Sequence, residues 1–237
     1  MTGLDGRRVY LDWNASAPLR SEARDAMLSA MDALGNPSSV HAEGRKAKAI
    51  LERARAQVAD LVGCEQSEVV FTSGATEAAS LALSSRTVIA SDVEHDCIHA
   101  HRSKDAGIPL VHGRLDYACK ASVSHGLSNA DDVVLAFQAA NSETGVVHDF
   151  AGAVAHYDAA LFFRLFVDLA QTAGRIPLTY RHDGQSSDTC WRPLFSVISG
   201  HKFGSSPGVG ALIVDTGYAE HEDVEIGAMS VGGGQER

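Results

Sequence analysis

Short runs of apolar residues alternate along this chain with longer segments that carry one apolar stripe and one polar face. That alternation is the pattern of strands and helices layered as α/β, with a mostly parallel sheet. Short buried strands are predicted at residues 68–72, 87–91, 109–112, 133–138, 161–168, 196–199 and 210–214. Pro18 followed by residues 21–34 predicts a helix closed by Gly35, and Asn36-Pro37-Ser38-Ser39 reads as a turn. A longer, Ala- and Arg-rich helix is predicted over 40–62 and stops at Gly63. A third, Ala-rich helix follows Glu77 and runs to Leu83.

The chain has 237 residues and 45% apolar composition, enough for one large domain with a filled core. Its 20 basic and 30 acidic residues give a net charge of -10, which argues against phosphate backbones or anionic lipid as partners. The N-terminus through Arg8 is polar and no long apolar run follows, so a cytoplasmic protein without a membrane anchor is expected. Cys64, Cys97, Cys119 and Cys190 are widely spaced and read as reduced thiols rather than as a zinc ribbon or a disulfide framework. No internal repeat is present. The glycine run 232–234 leads straight into Gln235-Glu236-Arg237 with no closing element, so the chain reads as interrupted there.

Three loops at predicted strand ends carry the chemistry. Ser73-Gly74-Ala75-Thr76-Glu77 joins a strand to a helix, so the free N–H groups of Ala75 and Thr76 and the Thr76 hydroxyl make an anion site. An ordinary capping turn has the same composition. Neither a Walker loop nor a dinucleotide fingerprint occurs, so the anion is a phosphate but not a nucleotide.

Asp168 ends an apolar run, with Gln171 and Gly174 behind it. A carboxylate at that edge of an open α/β sheet can meet a protonated ring nitrogen, or it can cap a helix. Ser199-Gly200-His201-Lys202 follows another apolar strand. A lysine among small residues at a strand end is desolvated and becomes a nucleophilic amine, while a lone loop lysine is normally a solvated charge. Ser199 and His201 are placed to donate to the same phosphate. His95, just past a predicted strand, can lie over an aromatic cofactor. His95 and His99 have helical metal-binding spacing, but no carboxylate or thiol set completes a zinc site, and no metal is expected. Asn141-Ser142-Glu143-Thr144-Gly145 offers an amide that can reach a phenolic oxygen, and by itself is a loop.

Taken together these blocks resemble the class V aminotransferases and, among them, the cysteine desulfurases. The resemblance rests on Tyr10-Leu11-Asp12-Trp13-Asn14-Ala15-Ser16-Ala17-Pro18, Gly35-Asn36-Pro37-Ser38-Ser39-Val40-His41, Phe71-Thr72-Ser73-Gly74-Ala75-Thr76-Glu77-Ala78, Glu94-His95, Asn141 to Gly145, Val167 to Gly174, Ser199 to Lys202 and Gly232 to Arg237. It implies a fold-type I large domain, three-layer with a mostly parallel, seven-stranded mixed sheet, over residues 16–237 that binds pyridoxal phosphate, with residues 1–15 belonging to a small domain that is otherwise largely missing. Lys202 would hold the cofactor as a Schiff base and move protons at the substrate α-carbon, with His95 stacked on the ring. Asp168 would pair with the ring nitrogen, and Gln171 with Asn141 would bond the phenolic oxygen. Ala75, Thr76, Ser199 and His201 would hold the phosphate.

The family converts cysteine to alanine and passes sulfur to an enzyme cysteine and on to an acceptor protein for iron-sulfur cluster assembly, as a homodimer. Ser142 stands where the family usually has asparagine, Phe166 where histidine is frequent, and Ser205-Ser206-Pro207 replaces a Gly-Pro-Lys pattern. The family's nucleophilic cysteine and substrate-gripping arginine fall beyond Arg237, so residues 1–237 alone are expected to lack desulfurase turnover. Another class V activity, a lyase or transaminase on a small amino acid, needs no such thiol. A non-catalytic remnant is the third reading.

Overall fold

The computed structural model describes residues 8–108, 110–111, 114–115, 132–148, 164–178, 193–221 and 224–227. Its centre is a seven-stranded mixed sheet in the order β1-β9-β8-β7-β6-β2-β3. The members are β1 (Val69–Thr72), β2 (Thr87–Ser91), β3 (Arg102–Ile108), β6 (Val133–Gln138), β7 (Arg164–Asp168), β8 (Phe195–Ser199) and β9 (Gly210–Val214), while β4 (Leu110–Val111) and β5 (Arg114–Leu115) form a separate two-stranded pair. Strands β3, β2, β6, β7 and β8 run parallel, and β9 runs antiparallel to both β8 and β1.

Two apolar layers cover the two faces, as a parallel sheet requires. Helix α2 (Ala42–Val62) contributes Ala59 and Val62 to one layer, against Ile89, Leu135, Phe137, Val167 and Ile198. Helix α3 (Ala75–Leu83) contributes Ala78, Ala79, Ala82 and Leu83 to the other, against Val88, Ala90, Val134, Ala136, Phe166 and Val197. Neighbouring residues of β2 and β6 thus point to opposite layers, which explains why those strands read as continuous apolar runs. The alanine-rich α3 lets a helix lie close against β8 and β9. Helix α2 begins at His41, whose Nδ1 accepts the Gly44 N–H at 3.3 Å, and ends at Gly63 in the left-handed conformation with φ 75°. Helix α1 (Ser21–Met31) buries no residue, and the short α4 (Asp96–His99) and α5 (Thr216–His221) complete the described elements. No described helix is long and apolar enough to cross a membrane.

The predicted count of seven strands holds, but one member differs. The segment predicted at 109–112 joins the small β4–β5 pair instead, with 109 and 112 outside the described residues. The seventh strand of the sheet is β3, with Arg102, Lys104 and Asp105 in its sequence. It lies at the edge of the described sheet, where β2 is its one partner among the described strands, with an irregular register between Val88 and Ala90. An edge strand facing water needs no apolar run, and charged residues there discourage pairing with another chain. Helix α1 stops at Met31 rather than at 34, and Glu68 belongs to a single 3₁₀ turn, Gln66–Glu68, ahead of β1. Residues 161–163, Cys119, Cys190 and the glycine run 232–234 lie outside the described residues.

Candidate active site

The C-terminal ends of β6, β7 and β8 lie side by side, with Gln138 opposite Asp168 in the β6–β7 pairing and Asp168 opposite Val197 in the β7–β8 pairing. Chain leaving these ends builds a cavity of about 360 Å³. Its wall includes Ala75, Thr76, His95, Asp168, Gln171, Ser199, His201 and Lys202, eight of the nine residues singled out from the sequence. Asn141 is not in the wall: its amide donates to the Val93 carbonyl at 3.2 Å, and its side-chain oxygen accepts from the N–H groups of Glu143 and Thr144 and from the Thr144 hydroxyl. It acts as the brace of the 141–145 turn. Gln138 and Ser142 line the wall at that place.

One side of the cavity is the N-terminus of α3, where backbone N–H groups have no partner within the helix. Glu77 reaches back to accept the Ser73 N–H at 2.7 Å and the Ser73 hydroxyl at 2.6 Å, bonds that hold its carboxyl below the usual range. The Thr72 hydroxyl donates to the Gly74 carbonyl at 2.9 Å. The loop is thereby fixed with the Ala75 and Thr76 ends facing the cavity, and Ser199 and His201 face it from β8 and the turn that follows. Gly210 makes this approach feasible: a Cβ there would meet Gly74 Cα at 2.6 Å and the Ile198 carbonyl oxygen at 2.7 Å.

Asp168 is buried at the end of β7 and accepts the Ala170 N–H at 2.8 Å. Burial pushes its carboxyl up, and the Ala170 bond, His95 and Lys202 oppose that rise. A buried carboxylate only partly compensated in this way is suited to a cationic partner in the cavity. His95 caps α4, its Nδ1 accepting the Cys97 N–H at 3.2 Å, so the proton of a neutral ring sits on Nε2. Cys97 Sγ lies 3.1 Å from the same nitrogen. Burial, and then the charge of Asp168, push the Cys97 thiol up to about 11. Cys64 is buried away in the core layer of α2.

Lys202 closes a 3₁₀ turn, Gly200–Lys202, directly after β8. Its Nζ donates to the carbonyls of Asn14 at 2.9 Å and Ala15 at 3.1 Å, so the N-terminal segment passes over the amine. Burial and then Lys202 lower the His201 pKa, and the ring's Nδ1 lies 3.3 Å from Ser16 Oγ. The Gln171 amide donates to the Asn14 carbonyl at 3.0 Å and its oxygen accepts from Arg175 at 2.9 Å. Gln138, which lines the cavity, and Arg175 and Glu94, which bond or neighbour residues of its wall, have no chemical role legible in the sequence, because the groups they meet lie far away along the chain. No group of three or more metal-ligating side chains occurs among the described residues.

A helix N-terminus, a buried acid and an amine around one cavity at the strand ends of a seven-stranded mixed sheet fit pyridoxal phosphate by the chemistry of each donor. The arrangement is that of fold-type I pyridoxal-phosphate enzymes. Residues 9–232 match the family described as Aminotransferase class-V, and the chain belongs to that family, whose members depend on pyridoxal phosphate. It is 33% identical over 255 aligned residues to an IscS-like cysteine desulfurase of Mycobacterium tuberculosis, covering 97% of this chain and 59% of that protein. Against a selenocysteine lyase of Bos taurus identity is 32%, over 98% of this chain and 60% of the relative. A NifS-like protein from Rickettsia africae superposes with a TM-score of 0.80 at 30% identity, covering 96% of this chain and 62% of the other. The chain thus spans about 60% of the length of these relatives.

Proposed function

We propose that this chain is the cofactor-binding part of a cysteine desulfurase, which releases alanine from cysteine and passes the sulfur to an enzyme thiol and then to an acceptor for iron-sulfur cluster assembly. The observation that carries the reading is the convergence of Lys202, Asp168 and the α3 N-terminus on one cavity. Bound pyridoxal phosphate supplies an aldehyde carbon and a ring that takes up electrons released at the substrate α-carbon. Lys202 Nζ is the amine that would hold the aldehyde carbon and would move a proton at the substrate α-carbon. The Asp168 carboxylate would pair with the protonated ring nitrogen, His95 would lie over the ring, and Gln171 would face its phenolic oxygen. The Ala75 and Thr76 N–H groups, Ser199 and His201 hold the phosphate.

Residues 16–237 form the cofactor-binding unit in this reading, residues 1–15 pack with a small domain, and the enzyme is a cytoplasmic homodimer whose partner subunit completes each site. Neither described cysteine is suited to accept sulfur, since Cys64 is buried and Cys97 is pushed up to about 11. Among the described residues no thiol is placed to take up sulfur, and the reading expects polypeptide 1–237 to bind the cofactor without desulfurase turnover. The same thiol chemistry favours, as a second reading, a class V lyase or transaminase that uses no thiol; assay of 1–237 with cysteine and other small amino acids separates the two.

The test is borohydride reduction of polypeptide 1–237 with added pyridoxal phosphate, followed by peptide mass spectrometry. The expected adduct sits on Lys202 and is absent from Lys202→Ala. An adduct spread over several lysines, or none, overturns the reading.

A further inference from the structure

Arg175 lies on the outer side of the cavity wall, and its guanidinium makes four hydrogen bonds. One nitrogen donates to the Asn14 side-chain oxygen at 2.8 Å and to the Gln171 oxygen at 2.9 Å. The other donates to the Trp13 carbonyl at 2.9 Å and the Lys202 carbonyl at 2.7 Å. The four partners come from three separate parts of the chain: the N-terminal segment, the turn after β7, and the turn that carries Lys202. Gly174, with φ 68°, turns the backbone just before Arg175, and a Cβ there would sit 3.2 Å from Phe203 Cβ.

Among the described residues the N-terminal segment has little apolar contact to hold it down. Leu11 is 72% exposed and Trp13 54%, so apolar burial does not fix residues 11–13 to the domain. Its attachments are polar: the Asn14 amide donates to the Ser142 carbonyl at 2.9 Å, Gln171 donates to Asn14, and Ala17 N–H donates to the His201 carbonyl at 2.9 Å. Against this segment Lys202 Nζ finds its two acceptors, the carbonyls of Asn14 and Ala15. Position of the strap and position of the amine are therefore one geometric fact. A planar fork with donors in fixed directions is the group that can join carbonyls on both sides of that contact.

We infer that Arg175 is a positioning residue: it lashes the strap Trp13–Ala15 to the Lys202 turn, so that the strap carbonyls hold Lys202 Nζ at the cavity. The inference rests on the cofactor reading for its purpose, but the lashing itself is a property of this chain alone. Arg175 is not a substrate-binding group, because its four donors are already directed at protein acceptors.

The experiment compares polypeptide 1–237 with Arg175→Gln and Arg175→Lys. Hydrogen exchange is measured without cofactor at the Ser16 and Ala17 amides, which donate to Asp12 and His201, with the β6 peptide as internal reference for folding. Both variants are expected to exchange about tenfold faster at the strap with β6 unchanged, because a lysine head cannot replace the fork. Affinity is then measured for pyridoxal phosphate and for pyridoxamine phosphate, which carries an amine in place of the aldehyde and so cannot bond to Lys202. The first is expected to weaken about tenfold and the second by less than about twofold, a split that loss of structure does not produce. Unchanged strap exchange, full rescue by lysine, or equal weakening of both ligands overturns the inference. A wild-type chain that binds neither ligand overturns the cofactor reading instead, and the exchange data still decide whether Arg175 holds the strap.

Discussion

Glu94 and Asp168 are buried as neighbours beside the cavity, and the charge of Asp168 adds to the effect of burial in pushing the Glu94 carboxyl up to about 8. Glu94 Oε1 accepts the Ser91 hydroxyl at 2.7 Å, while Oε2 is buried without a hydrogen-bond partner among the described residues. Two carboxyls in one dry region do not both ionise readily, so at neutral pH the pair carries its negative charge on one member. The one whose ionised form has the better partners is Asp168, with the Ala170 N–H, His95 and Lys202 around it. A neutral Glu94 leaves that charge available for a cation in the cavity.

The first prediction concerns the pH dependence of stability. A carboxyl raised from 4.5 to about 8 stays protonated in the folded chain while the unfolded chain has already released its proton. Its contribution is therefore fully present below about pH 4.5 and is lost as pH rises toward 8, at about 1.4 kcal/mol per pH unit within that window. Glu94→Gln keeps an acceptor for Ser91 and cannot ionise. Denaturant titrations of the cofactor-free polypeptide at pH 5 and pH 8 are expected to show a fall for the wild type that is smaller by a few kcal/mol in Glu94→Gln. Equal pH slopes for the two proteins would refute the neutral-acid assignment.

Asp168→Asn separates charge from shape at the same place. Asparagine preserves an oxygen for the Ala170 N–H, so the turn after β7 survives and the folded chain is expected to be no less stable than wild type. The lost item of chemistry is the negative charge facing the cavity. Pyridoxal phosphate affinity, followed by the absorbance of the bound cofactor, is expected to fall about tenfold to a hundredfold, the range of a charge-assisted bond worth about 1.5–3 kcal/mol. Undiminished affinity would place the ring nitrogen away from Asp168.

Much of this was legible in the sequence because some residues carry their role in their type and their place on a strand. Strands β2, β6 and β9 match their predicted limits because they are buried on both faces and so read as uninterrupted apolar runs. Asp168 and Lys202 stand out because a charge at the end of such a run is unusual. Strand β3 lacks an apolar run for the opposite reason: as an edge strand of the described sheet it is under less demand for apolar residues. Arg175 and Glu94 were missed as chemistry because their surroundings come from distant parts of the chain, Arg175 meeting Trp13 and Lys202, and Glu94 meeting Asp168. No local pattern encodes such a meeting. Asn141 shows the reverse, since its side-chain amide, the donor that a phenolic oxygen needs, is directed at the Val93 carbonyl, and its oxygen accepts from Glu143 and Thr144.

Cys97 gives a prediction with the opposite sign in pH. Its thiol is held protonated by burial and by Asp168, so the reactive thiolate is scarce until pH nears 11. Iodoacetamide at pH 8, followed by peptide mass spectrometry, is expected to label Cys97 at least about tenfold more slowly than an unperturbed thiol. In Asp168→Asn one of the opposing charges is gone, and the rate at Cys97 is expected to rise toward the reference. Rapid labelling in the folded wild type would remove the argument that this thiol is unsuited to accept sulfur.

Gly210→Ala tests whether the anion cradle depends on a close backbone approach. The added methyl would meet Gly74 Cα at 2.6 Å, the Gly74 carbonyl carbon at 2.7 Å and the Ile198 oxygen at 2.7 Å, all of them backbone atoms that cannot rotate aside. Strand β9 is paired on both sides at this residue, with Thr72 of β1 and Ser199 of β8, so the strand cannot yield without disturbing both ladders. The Ser73–Gly74 loop is the softer member and is expected to move outward, taking the Ala75 and Thr76 N–H groups with it. Overpacking of this kind costs about 1–3 kcal/mol in stability, seen as a lower thermal midpoint. The loss of phosphate contacts is expected to exceed the loss of stability in its effect: the variant should fold, as judged by hydrogen exchange in β6, yet bind pyridoxal phosphate at least about tenfold more weakly. Because the affected contact is to the phosphate alone, pyridoxal without its phosphate should bind wild type and variant equally. A variant that loses affinity for both compounds to the same degree would show that the whole strand-end surface had shifted, and that the cradle is not the part which Gly210 protects.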